Sequence, residues 1–246
     1  MGLLEISLMV VCVLLFIMGL VSTVVSIWLT VKYFRFNRVE NSLGLTGIEI
    51  ARKILDDHGL SHIKVKRTGS LLFGNSYSHY FKKVRLRGFI RHETSLTSIG
   101  LGAQKAALAI LDKEEDPDMK KRIRLVPLIT FGPFAFIPLL LVGAALDYFV
   151  LHTNGWVTMA LAVVGLLFYV YSVVLAVMTL KTEKKAQEKA YYILQREYEI
   201  KEEELASLKE LFRLYNIQYV NDIILSSLEL IYNVLRILIL IKNGKD

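Results

Sequence analysis

The sequence predicts a membrane α-helical protein with three to four transmembrane helices and a small cytoplasmic α/β domain. Three observations carry this. The 246 residues are 54% hydrophobic with a mean hydropathy of +0.44, too apolar for an ordinary soluble domain. The stretches 6–31, 125–146 and 156–180 hold no Asp, Glu, Lys or Arg. Charged residues still make up 22% of the chain and gather between those stretches, so part of it must meet water.

The first stretch, at ~1.5 Å per residue, exceeds a ~30 Å hydrocarbon core even when tilted. Only Glu5 precedes it, and Lys32, Arg35 and Arg38 follow. A secretory signal would start basic and be shorter. The expectation is an uncleaved span with its N-terminus outside, because positive residues stay in the cytoplasm. The second stretch follows the basic run 119–124 and runs outward; Pro127, Pro133 and Pro138 predict kinks in it. Asp147 reads as an interfacial acid near its outer end. A turn over 151–155, free of Lys and Arg, leads to Trp156 and the third span, which Lys181, Lys184 and Lys185 close. One orientation then serves all three spans, with 32–124 and 181–215 cytoplasmic.

Between the first two spans, 46–58 reads as an amphipathic helix with Ile48, Ile50, Ala51, Ile54 and Leu55 on one face. Thr46 and Glu49 form a capping-box pattern, and Gly59 stops the helix. Ile63–Arg67 and Lys83–Arg87 alternate basic and apolar residues, as short strands do. Leu96–Leu111 is a second helix, and 112–118 a charged linker. Residues 182–214 lack Gly and Pro and read as helical. Glu202, Glu203 and Glu204 there read as a solvated face, and Leu205, Leu208, Leu211 and Phe212 as an apolar one. From Tyr219 to Ile241 the chain is apolar except for Asp222, Glu229 and Arg236. A seven-residue spacing puts these three on one helix face. The helix either spans with that polar stripe against protein or lies in the interface. The resulting divisions are 1–33, first span; 34–124, soluble domain; 125–180, transmembrane hairpin; 181–215, cytoplasmic helical region; 216–246, membrane-associated helix.

The net charge of +7 reads as a basic surface facing an anionic leaflet. No zinc-finger spacing or aromatic-interleaved basic stripe points to nucleic acid. The single Cys12 permits no internal disulfide and no C-x-x-C site. His58 and His62 are separated by Gly59 at a helix end, His92-Glu93 has no ligand spacing, and no glycine-rich phosphate loop occurs.

Several of these stretches resemble the YugP-type bacterial membrane zinc metallopeptidases. Asn41–Leu55 with the following Asp-Asp-His-Gly-Leu resembles that family's first soluble helix. Lys64–Arg67 and Val84–Leu86 resemble its strands, and Ser95–Ile110 stands where its metal-binding helix does. Leu180–Ala190 and the apolar helix from Tyr219 follow in the same order. The family's chemistry rests on H-E-x-x-H, two His ligands on one helix face and a Glu that activates the zinc-bound water. Here Gln104, Lys105 and Leu108 stand at those three positions, and Glu183 matches the later ligand Glu. Lys181 and Lys185 replace an expected Pro and Asp, and 75–79 (Asn-Ser-Tyr-Ser-His) replaces an Asp-His-Tyr-Asp-Pro stretch.

The resemblance therefore implies a member with a degenerate motif, with no cofactor and no metal, in the bacterial inner membrane. The expectation is a catalytically inactive homologue serving as a binding or regulatory module. Its partners would be the lipid bilayer and another membrane protein or assembly, with the 222/229/236 stripe as a contact face, and not nucleic acid. An active peptidase with non-standard ligands and a purely structural scaffold are the alternatives. Lys105 either replaces the metal's charge and pairs with Glu183, or both side chains point into water. A separation well beyond ~4 Å would exclude the pair.

Overall fold

The computed structural model describes residues 2–68, 74–88, 93–126, 135–152 and 154–243. It is mostly helical with one small sheet. In chain order the elements are α1 (Leu3–Asn37), α2 (Gly47–Asp57), β1 (Lys64–Arg67), β2 (Ser76–Ser78), β3 (Lys83–Leu86), α3 (Leu96–Lys113), α4 (Pro117–Leu125) and α5 (Phe136–Leu146). A π-helical turn, Asp147–Leu151, then precedes α6 (Trp156–Arg196) and α7 (Glu202–Asn243). Two of these helices, α1 and α6, are long and apolar enough to cross a membrane; the apolar helix Phe136–Leu151 is shorter. Pro127 and Pro133 lie outside the described residues, and Pro138 falls in the first turn of α5, where a missing N–H costs nothing.

The chain divides into two compact units. One comprises 25–124 and 178–218. In it Thr46 caps α2 with the full capping box, accepting from Glu49 N–H while the Glu49 carboxylate accepts from Thr46 N–H. Gly59, at φ +67°, lets the Leu60 N–H reach back to the Leu55 carbonyl and ends the helix. The sheet runs β1-β3-β2, with β1 parallel and β2 antiparallel to β3. Val84 and Leu86 of β3 face a core shared with Ile50, Ile54 and Leu55 of α2 and Ile99, Ala103 and Ala106 of α3. Ile193 and Leu194 of α6 and Leu205, Leu208 and Phe212 of α7 complete it.

Helices α2 and α3 approach closely because Gly102 has no side chain. A Cβ there would lie 2.5 Å from the Gly47 carbonyl oxygen and 2.9 Å from Ile50 Cγ2. The helical stretch expected over 182–214 is broken between α6 and α7. Glu199 takes the left-handed conformation, φ +51°, and Ile200 N–H bonds back to Leu194 O at 3.0 Å. Burial of Tyr198 and Ile200 holds this turn against the residues' own helical preference, a case of packing overriding propensity.

The other unit comprises 1–24, 125–177 and 219–246. Small residues set its helix packing: a Cβ on Gly143 would meet Thr158 Cα at 2.7 Å, and one on Gly165 would meet Phe136 Cδ2 at 2.7 Å. Asp147 caps α6, accepting from Thr158 N–H at 2.7 Å and from the Thr158 hydroxyl at 2.6 Å. Asp222, Glu229 and Arg236 lie on the outward face of α7. Tyr169 donates to the Glu229 carboxylate, and the Arg236 guanidinium lies 5.6 Å from the Tyr232 ring centre. The three residues are exposed, but the stripe is not wholly turned from this chain, since Glu229 takes the hydroxyl of the buried Tyr169 of α6.

Candidate functional site

The small domain concentrates its buried polar groups at one place. Gln104 and Lys105 project from α3, Thr182 and Glu183 from α6, and Arg122 from α4. Lys105 Nζ donates to Glu183 Oε2 at 2.7 Å, and Gln104 Nε2 to the same oxygen at 2.9 Å. Arg122 Nη2 reaches Glu183 Oε1 at 3.3 Å, while its Nη1 donates to the Thr182 hydroxyl at 3.2 Å. Thr182 in turn donates to the Thr179 carbonyl at 2.9 Å. The Lys105 and Glu183 side chains are only 6% and 3% exposed.

Local sequence explains why these groups meet. The face of α3 around Lys105 carries Gly102, Ala106 and Ala109, small residues that let neighbouring helices come close. The long Lys105 chain then spans the gap with its stem in apolar surroundings and its ammonium on the carboxylate. Burial alone would push the Glu183 carboxyl up. The charges of Lys105 and Arg122, and their hydrogen bonds, outweigh it and hold Glu183 below the usual range for Glu. Its carboxylate is therefore ionised at neutral pH, and each of its oxygens has a donor.

Zinc does not fit this donor set. Both oxygens of Glu183 already face cations, Gln104 directs its amide N–H₂ inward, and Leu108 is an alkane buried in the core. Two positive groups against one negative leave the site cationic, which repels a divalent ion, and zinc takes thiolate, imidazole or carboxylate. Among the described residues no group of three His, Cys, Asp or Glu is placed to hold a metal.

Further along α3, Asp112 organises a second group. Tyr77 of β2 donates to Asp112 Oδ2 at 2.6 Å, and His79 Nδ1 lies 2.7 Å from the same oxygen. Burial, and then the Asp112 bond and charge, push the Tyr77 hydroxyl well up, so it stays a neutral donor. These residues border a cavity of about 410 Å³. Asp112 stands seven residues after Lys105, two turns along one helix face.

Gln104, Lys105 and Glu183 thus converge, and Leu108 sits in the core beside them. Asp222, Glu229 and Arg236 belong to the other unit. The sequence reading missed Arg122 and Asp112. Arg122 sits in a basic run whose four cations satisfy the positive-inside pattern equally, so none stands out. Asp112 is one of several acids in a linker-like stretch. Only the strand β2, three residues long, brings Tyr77 and His79 onto it.

Comparison with known proteins follows the same lines. A family model described as "Putative neutral zinc metallopeptidase" matches residues 10–238. A protein of Bacillus subtilis (strain 168), "Putative membrane protease YugP", is 26% identical over 215 residues, covering 87% of this chain and 89% of that protein. No solved structure matches.

Proposed function

This chain belongs to the neutral zinc metallopeptidase family, and we propose that within it the chain has replaced its metal with an internal ion pair and works as a membrane binding or regulatory module. The observation that carries this is the 2.7 Å contact between Lys105 and Glu183 in the core of the small domain. The ammonium stands where the family's general base would be and supplies the positive charge that zinc would supply. Gln104 and Leu108 stand at the two imidazole positions. No group at the site can activate water as a metal-bound hydroxide would. What this chain offers instead is the small domain with its cavity beside α3 and its apolar helices.

In the same reading the chain is a multi-pass protein of the bacterial inner membrane with three to four spans. α1, the Leu125–Leu146 stretch and α6 cross, and α7 enters the membrane or lies on it. The basic flanks at Lys32–Arg38, 120–124 and 181–185 put the small domain in the cytoplasm. The exposed stripe Asp222, Glu229 and Arg236 supports docking of another membrane protein, because an outward polar face on an apolar helix favours a polar partner over lipid tails.

The experiment is affinity purification of the full chain from native membranes, with zinc content and peptide hydrolysis measured on the same sample. The expected result is zinc far below one per chain, no hydrolysis above background, and a defined membrane protein in the eluate. Stoichiometric zinc with hydrolysis would instead identify an active peptidase with unusual ligands.

A further inference from the structure

The turn between β2 and β3 exposes two aromatic rings at its tip. Tyr80 is 57% and Phe81 67% exposed. Two cations stand against Phe81. Lys83 Nζ lies 4.4 Å from the Phe81 ring centre and the Arg85 guanidinium 5.8 Å from it. Lys82, at φ +43°, closes the turn.

The tip is fastened to a particular place. The Tyr80 hydroxyl donates to the Ile123 carbonyl at 3.0 Å. Ile123 is two residues before the end of α4, and the charge-free stretch 125–146 begins at that end. Between turn and helix lies the cavity of about 410 Å³. Its wall contributes Lys82, Lys113, Lys120 and Arg124 against Asp112 and Glu115. Lys113 is committed to the His58 carbonyl at 2.6 Å and Lys120 to Glu115 at 2.8 Å. Arg124 has no ion-pair partner among the described residues, and Lys82 stands 3.7 Å from Asp112.

We infer that this turn and cavity form a site for an anionic phospholipid: Tyr80 and Phe81 enter the interfacial layer while Lys82 and Arg124 hold the headgroup phosphate. The inference rests on the reading that 125–146 enters the bilayer. Aromatic rings with one polar edge favour the headgroup level, and basic residues beside a span are drawn to anionic lipid. Arg124 offers a planar fork suited to phosphate oxygens, and the cavity wall carries a cationic excess. A turn with exposed aromatics, flanked by lysines and tied to the foot of an apolar stretch, suits a lipid surface better than bulk water. Docking to the headgroup layer would fix the small domain's cavity at the membrane surface.

The test uses the full chain with Cys12→Ser, spin-labelled through Phe81→Cys or Leu141→Cys (Leu141 is exposed and lies in 125–146), in nanodiscs of phosphatidylcholine with or without phosphatidylglycerol. The expected result is a label at 81 that relaxes with oxygen rather than with a water-soluble nickel chelate in phosphatidylglycerol discs. Native mass spectrometry of the unlabelled chain should show retained phosphatidylglycerol, and Lys82→Gln with Arg124→Gln should weaken that retention about tenfold or more, the scale of two juxtamembrane cations. Both side chains are exposed, so this pair leaves the core intact. A label at 81 open to nickel in both lipids, with the label at 141 reached by oxygen, overturns the inference and leaves the reading of 125–146 standing. Nickel access at 141 as well removes both. Displacement of the lipid by soluble glycerol phosphate overturns lipid specificity, because the pocket would then serve a free phosphate ester.

Discussion

Lys105 Nζ and Glu183 Oε2 are 78 positions apart in sequence and 2.7 Å apart in space, with water excluded from both. Arg122 approaches the other carboxylate oxygen at 3.3 Å. Removal of the Glu183 corner would therefore leave the Lys105 ammonium bare in the core.

Removing one partner should cost much more than removing two. Glu183→Leu is expected to destabilise the small domain by about 3–5 kcal/mol, because it leaves the buried Lys105 ammonium without its counter-charge. Lys105→Met with Glu183→Leu should recover most of that loss, since apolar residues of similar volume often replace a buried pair at little cost. Denaturant melts of the three proteins check it. Equal destabilisation in single and double variants would mean that the pair is not coupled.

An exposed pair of the same length provides the contrast. Lys185 Nζ lies 2.7 Å from Asp116 and 2.8 Å from Asp118, but its side chain is 38% exposed. Lys185→Gln should cost no more than about 1 kcal/mol, and added salt should shrink the difference further.

The acid limb of stability should carry the signature of Glu183. Its carboxyl is held below the usual value by Lys105 and Arg122 in spite of burial. The unfolded chain therefore takes up a proton first as pH falls. The stabilisation is present above the unfolded Glu value of about 4.3 and is lost as pH falls from there through the lower folded value. Glu183→Gln should flatten that part of the stability–pH curve. An unchanged curve would count against an ionised, buried Glu183.

Two glycines of α3 should respond differently to the same methyl group. Gly102→Ala meets the Gly47 backbone at 2.5 Å, which cannot step aside, and should cost about 1–3 kcal/mol. Gly100→Ala meets Leu208 Cδ2, the far end of a side chain that can rotate, and regains roughly 1 kcal/mol of helix propensity. It should be close to neutral. Melting the two variants side by side separates backbone contact from side-chain contact.

Restoring the motif should restore the metal. Gln104→His, Lys105→Glu and Leu108→His together put two imidazoles and a general base on one face of α3 beside Glu183. The triple variant is expected to take up zinc, measured by elemental analysis after dialysis, while the natural chain does not. Failure of a folded triple variant to hold zinc would mean that these positions do not share the geometry the family motif needs.

Local chemistry was legible where one short segment determined it. The Thr46–Glu49 box and the Gly59 stop are backbone instructions carried by the residues themselves, and they stand where the sequence puts them. The strands β1 and β3 were readable because Val65, Val84 and Leu86 alternate with cations. Strand β2 was not, because Ser-Tyr-Ser is too short to show a period. The break at Glu199 was equally silent: nothing in Glu-Tyr-Glu-Ile forbids a helix, and only the burial of Tyr198 and Ile200 makes the left-handed turn worthwhile. At the site, Lys105 and Glu183 could be paired on resemblance. Arg122 and Asp112 required the packing of α3, α4 and α6 to become visible.

The distance along the chain between ammonium and carboxylate also sets an order of events during synthesis. When Lys105 leaves the ribosome, its counter-ion does not yet exist. At ~5–20 residues per second, roughly 4–16 seconds pass before Glu183 is made. Until then Lys105 has no carboxylate to pair with, so closure of the core around it waits on α6.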